Sequence, residues 1–156
     1  MRKLLTGLAL AALLGAAGAC NNGSSTPVAS TTPTTTNTYP FSGALAAPTG
    51  GVGPTASLPF TVGQSGGTVT ILLTAAVETY PNGTLNTAVT MLMGIGTPSG
   101  STCTLPAGSA LTPLVAGPSA GLQGAINAGS YCVALSSADL GSTAGSVSYT
   151  VIVTAP

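Results

Sequence analysis

Residues 66–77 read Gly-Gly-Thr-Val-Thr-Ile-Leu-Leu-Thr-Ala-Ala-Val, and the alternation within them decides the fold class. Val69, Ile71 and Leu73 fall on one face and Thr68, Thr70 and Thr74 on the other, the period of a half-buried strand. The same period recurs on both sides. Upstream, Leu58, Phe60 and Val62 alternate with Pro59 and Thr61, and Pro59 confines that strand to a sheet edge or to its own start. Residues 41–45 form an expected first strand. Downstream, Tyr80-Pro81-Asn82-Gly83 has the chemistry of a tight turn, and Val89, Met91, Met93 and Ile95 alternate beyond it. Residues 68–95 therefore read as an antiparallel pair.

The remainder keeps to this grammar. Residues 99–107 carry Cys103 in a short strand or loop, and residues 108–121 suit neither a long helix nor a clean strand. Residues 122–126 and 131–136, joined through Asn127-Ala128-Gly129, read as a hairpin. Tyr131, Val133 and Leu135 would face its core, with Cys132 and Ala134 on the other side. Residues 146–154 close the pattern, with Val147, Tyr149, Val151 and Val153 inward. No window shows a sustained helical period with caps. Short alternating strands at near-regular spacing predict an all-β domain, a sandwich or small barrel of antiparallel sheets.

Phe60-Thr61-Val62 followed by Gly66-Gly67-Thr68-Val69-Thr70-Ile71, and Gly129-Ser130-Tyr131-Cys132-Val133 followed by Tyr149-Thr150-Val151-Ile152-Val153, narrow the choice. Residues 41–156 resemble the bacterial pre-peptidase C-terminal domains, small jelly-roll-like β-sandwiches appended to secreted proteases and envelope proteins. The resemblance implies a single antiparallel β-sandwich over residues 41–156. Acidic residues that often precede the Phe-Thr-Val strand, and support calcium in some members of that family, are missing, because residues 54–58 hold no carboxylate. No calcium site is carried over.

The N-terminal stretch has a different character. Arg2 and Lys3 precede a run from Leu4 to Ala17 that is apolar apart from Thr6, too short to remain in a bilayer as a helix but suited to a secretory signal over residues 1–19. The run ends in Ala17-Gly18-Ala19-Cys20, which resembles the lipobox of bacterial lipoproteins. That resemblance implies that Cys20 becomes the first residue and carries a thioether-linked diacylglycerol, usually with a third acyl chain on its amine. Ala17 stands where Leu is usual, and the same bond also suits the ordinary signal peptidase, which would leave a soluble chain with a free thiol. Residues 21–40 are rich in Ser, Thr and Pro, and with Cys20 they read as a lipidated tether. Asn21 is not the aspartate that commonly marks inner-membrane retention, so the expected address is the cell envelope, leaning to an outer membrane. The membrane, reached through the lipid, is the first expected partner, and an envelope protein or a glycan the second.

Charge excludes more than any motif implies. Arg2 and Lys3 are the only basic side chains, histidine is absent, and Glu78 and Asp139 are the only acidic ones. Once residues 1–19 are removed, no cationic side chain remains to neutralise phosphates, so neither nucleic acid nor nucleotide is an expected partner. There is no imidazole for a triad or a zinc site and no lysine for a Schiff base. Neither a metal nor any other cofactor is expected.

The candidate chemistry is correspondingly short. If Cys20 is lipidated, Cys103 and Cys132 remain as an even pair suited to a disulfide in an oxidising compartment. Tyr39 and Tyr80 could stack on a sugar or a peptide, or could simply pack. Glu78 and Asp139 are the only possible acid and base of a hydrolase, while their turn-like contexts favour ordinary solvated side chains. The expectation is a non-catalytic binding or structural module on a membrane, with a carbohydrate-binding accessory domain and a Glu78/Asp139 hydrolase as alternatives. Recognition by adding a strand to a sheet edge suits a chain whose backbone is its best hydrogen-bonding equipment.

Overall fold

The computed structural model describes residues 35–47, 55–138 and 145–156. Alternation in the sequence becomes strands: β1 (Asn37–Ala46), β2 (Thr55–Val62), β3 (Gly67–Thr79), β4 (Leu85–Asn86), β5 (Thr90–Ser99), β6 (Thr102–Thr104), β7 (Thr112–Val115), β8 (Gly121–Ile126), β9 (Gly129–Ser137) and β10 (Ser146–Ala155). Among the described residues there is no helix. One sheet runs β1-β10-β3, with β4 and β8 sharing the far side of β3; the other runs β2-β9-β5, with β6 and β7 on β5. Every pairing is antiparallel. The described residues form an all-β antiparallel sandwich.

The inward residues are those that alternation selects. Val69, Ile71 and Leu73 of β3, Val147, Val151 and Val153 of β10, and Val133 and Leu135 of β9 are all completely buried. Met91 and Met93 of β5 join them, and Leu58, Phe60 and Val62 of β2 line the same core. Each such aliphatic side chain contributes about 1.5–3 kcal/mol when removed from water. Without tryptophan, this row-on-row packing is the principal source of stability.

Two expected pairings are corrected. Residues 68–95 do not form one antiparallel pair, because β3 lies between β10 and β8 while β5 lies between β9 and β7. Only β4 continues from β3 as a neighbour, in the pairs Glu78↔Asn86 and Thr79↔Leu85. The chain then crosses to the second sheet, where the apolar row of β5 can oppose that of β3. Nor do residues 122–126 and 131–136 form a hairpin. β8 pairs with β3, whereas β9 inserts between β2 and β5. The connection crosses between sheets at Gly129, whose φ of +153° favours glycine. β1 also begins at Asn37, ahead of the expected Phe41, because residues 37–40 already pair with β10.

Prolines at the edges follow the ladder chemistry. Leu73 donates to the Ala120 carbonyl and accepts from Gly117, so its backbone groups point away from β10. Strict alternation from Leu73 through the registers puts Pro40 of β1 at a position turned away from β10. In β2, the Thr61 carbonyl accepts a side-chain hydroxyl instead of a β9 donor, so Pro59, two residues earlier, is also turned outward. A residue with no N–H costs nothing there. The expectation that Pro59 marks an edge strand holds, since β2 ends its sheet.

Candidate functional site

A groove opens where the second sheet comes apart. The β5–β9 ladder stops at Gly96↔Cys132, because the next residue of β5 in phase is Pro98, which has no N–H to offer β9. Beyond that point β5 pairs with β6, through Thr97↔Thr104 and Ser99↔Thr102. The separation leaves an open groove of about 420 Å³, walled by Pro98 on one side and by Pro59, Thr61 and Ser130 on another. Its floor is aromatic. Phe60 is buried, and its ring stacks on Tyr131 at 5.9 Å between centroids and 29° between planes. Tyr39 leans on the other side of Phe60 at 6.4 Å and 55°.

Tyr39 reaches this groove from the opposite sheet. Its hydroxyl donates to the Thr61 carbonyl at 3.1 Å and shares a second hydrogen bond with the Thr61 hydroxyl at 2.9 Å. β1 and β2 are the edge strands on one flank of the sandwich, and this contact laces them together. It also occupies an outward carbonyl of β2 that a foreign strand would need.

The disulfide braces the Pro98 wall. Cys103 and Cys132 are joined, with Cα atoms 5.8 Å apart and a sequence separation of 29. Cys132 faces the outside of its sheet, as expected, yet is completely buried because β6 folds over it. Glycine at position 96 permits this. A Cβ there would collide with the Thr104 carbonyl oxygen and stand 3.1 Å from Cys103 Sγ. Leu105 and Leu111 cover Gly94 in the same manner.

Glu78 sits elsewhere and is not the solvated turn residue expected from its context. It belongs to β3, pairs with Asn86, and is only 1% exposed. A β-bulge is responsible: Thr150 pairs with Ala75 but Val151 with Leu73, so Thr74 is an extra residue. Inward positions change from Val69, Ile71 and Leu73 to Ala76 and Glu78. Asn86 answers the buried carboxyl by donating from Nδ2 to Oε2 at 3.3 Å, while its own Oδ1 accepts from the Ala88 amide at 3.0 Å. Among the described residues, no buried side-chain nitrogen or oxygen lacks a hydrogen-bond partner.

Of the residues singled out in the sequence, Tyr39 lies in the groove and Cys103 and Cys132 form the bond. Tyr80 is at the other end of the sandwich, next to Thr79, in a turn closed by Tyr80 N–H to Thr84 O and Gly83 N–H to Tyr80 O, both 2.9 Å. Tyr39 and Tyr80 therefore do not share one surface. Cys20 and Asp139 lie outside the described residues. Among the described residues, no three His, Cys, Asp or Glu side chains are grouped to hold a metal ion. Phe60 and Tyr131 were expected only in the core, and Pro98 had no expected role. The available signal was the pair Gly96 and Pro98 in one strand, a glycine that lets a segment cross and a proline that ends the ladder.

The lining can stack on the C–H face of a ring and offer hydroxyls from Thr61, Ser130 and the tyrosines. No carboxylate or cation lines it, so the ligand it suits is neutral. Comparison of the chain with family models gives no match, and comparison with curated proteins gives no relative.

Proposed function

We propose that the protein is a bacterial cell-envelope lipoprotein, anchored through a lipid on Cys20, whose sandwich is a non-catalytic binding or structural module. The groove floored by Tyr39, Phe60 and Tyr131 carries this reading, since it combines a standard ligand-site volume with aromatic faces and a few polar groups. The signal-like residues 1–19 and the small residues before Cys20 support the anchor. The outer membrane is the proposed site, and an envelope protein or a glycan the proposed partner.

One observation favours a carbohydrate over other neutral ligands: the half-buried ring of Tyr131 flanked by the Thr61 and Ser130 hydroxyls on the rim. Aromatic stacking with hydroxyl rims fits the alternating C–H and O–H faces of a sugar. The test is retention of the full chain on immobilised neutral polysaccharides, with Tyr131→Ala and Ser130→Ala beside it. Retention that falls at least tenfold in Tyr131→Ala supports the carbohydrate reading; no retention of the parent on any glycan discards it. Intact mass of the envelope protein tests the anchor, and an unmodified thiol at Cys20 overturns it.

A further inference from the structure

The edges of the sandwich are not treated alike. Both strands on one flank carry an outward proline, Pro40 in β1 and Pro59 in β2, and Tyr39 blocks the Thr61 carbonyl as well. On the other flank β7 carries Pro113, while β4 and β6 are very short. Proline and brevity are the devices by which sheets avoid pairing with a second chain. β8 has neither. It reads Gly-Leu-Gln-Gly-Ala-Ile, pairs among the described residues only with β3, and contains no proline or charged residue.

Its register says which groups are available. Leu73 bonds towards the β8 side, so Ile71 does too, and its partner Leu122 turns its N–H and C=O to β3. Gly121, Gln123 and Ala125 therefore turn their N–H and C=O outward. We infer that this edge pairs with a second copy of the chain, β8 against β8, about a two-fold axis at Gln123.

The strand is self-complementary about that axis. Gln123 faces its counterpart, so the two amides can bond across the axis, and Gly121 faces Ala125 of the other copy, small against small. Leu122 faces the other copy's Gly124 in the closer, non-bonded type of pair. Space exists for it, because a Cβ built at Gly124 meets nothing within 4 Å. Charge does not oppose the approach: Arg2, Lys3, Glu78 and Asp139 are the only charged side chains, none is on β8, and Glu78 is buried. The two copies would share one continuous sheet, an isologous contact that closes on itself. Confinement of anchored chains to one membrane would raise the encounter rate.

Disulfide trapping tests this on the full chain in a bacterial envelope. In a bonded antiparallel pair Cα atoms are about 5.5 Å apart, within disulfide reach. Gln123→Cys is expected to give a species of twice the chain mass on a non-reducing gel, at least fivefold above Ser42→Cys on the guarded edge. Adding Ala125→Pro, which deletes an outward N–H without touching the β3 ladder, is expected to abolish it. Equal trapping at both positions, or none at Gln123→Cys, overturns the inference. An adduct with a different protein overturns the second copy and assigns the edge to a foreign strand. Should Gln123→Cys fail to form the Cys103–Cys132 bond, the detergent-solubilised parent is sized beside Ala125→Pro. A dimeric parent and monomeric variant support the pairing, and a monomeric parent refutes it.

Discussion

The two ends of the sandwich use irregular strand pairing to opposite effect. At the groove end, Pro98 breaks the β5–β9 ladder and leaves Tyr39, Thr61, Ser130 and Tyr131 within reach of solvent. At the other end, the extra Thr74 in β3 shifts the inward set and draws Glu78 under cover, where Asn86 meets it. A missing donor opens the structure, while an extra residue closes it around a polar group. The accessible chemistry is therefore neutral, and the one described carboxylate serves the fold.

The comparison is broken most forcefully at the closed end. Glu78→Lys should cost about 4 kcal/mol in urea unfolding, because it buries an ammonium opposite the donating Asn86 amide. Glu78→Gln, which keeps an acceptor there, should cost about 1 kcal/mol. Equal losses would mean that Glu78 is solvated. Replacing both Cys103 and Cys132 with serine comes next, at about 3.5 kcal/mol for a loop of this length. Hydrogen exchange should then quicken first around Pro98 and Ser130, leaving β4 protected; uniform acceleration would deny the disulfide its local bracing role.

A finer probe is Tyr39→Phe, which keeps the ring against Phe60 but loses the hydroxyl bonds to Thr61, for about 1 kcal/mol of stability. The smallest effect is titration. Tyr149, near the Glu78 end, has its pKa raised above 10.0 by burial. Above about pH 10 the unfolded chain ionises this phenol before the folded one does, so its stabilising contribution, full below that pH, is lost as pH rises through the folded pKa. With no histidine, the melting midpoint should stay level from about pH 6 to 9 and then fall, and Tyr149→Phe should blunt the fall. A midpoint that moves near neutrality would point to a bound ion or partner.

The inward rows of β3, β9 and β10, the edge position of Pro59, and the pairing of Cys103 with Cys132 were all legible in the sequence. Each follows from a local rule: a period of two, a missing N–H, or the two thiols that remain once Cys20 is set aside. Neighbours were not legible, because β3 and β5 carry equally good apolar rows whether they lie side by side or face to face. The aromatic groove was only half visible, through Tyr39, because Phe60 and Tyr131 read as core until the ladder parts at Pro98.

By itself the sequence determined an all-β domain with an apolar interior and almost no charge, since alternation and composition act residue by residue. The tertiary structure alone decided that Glu78 points inward, that Tyr39 meets Thr61, and that β8 is, among the described residues, the edge without a guard. Those outcomes depend on a bulge, a crossing between sheets and the order of strands. All three are set by closing one core across distant parts of the chain, and no local period encodes them.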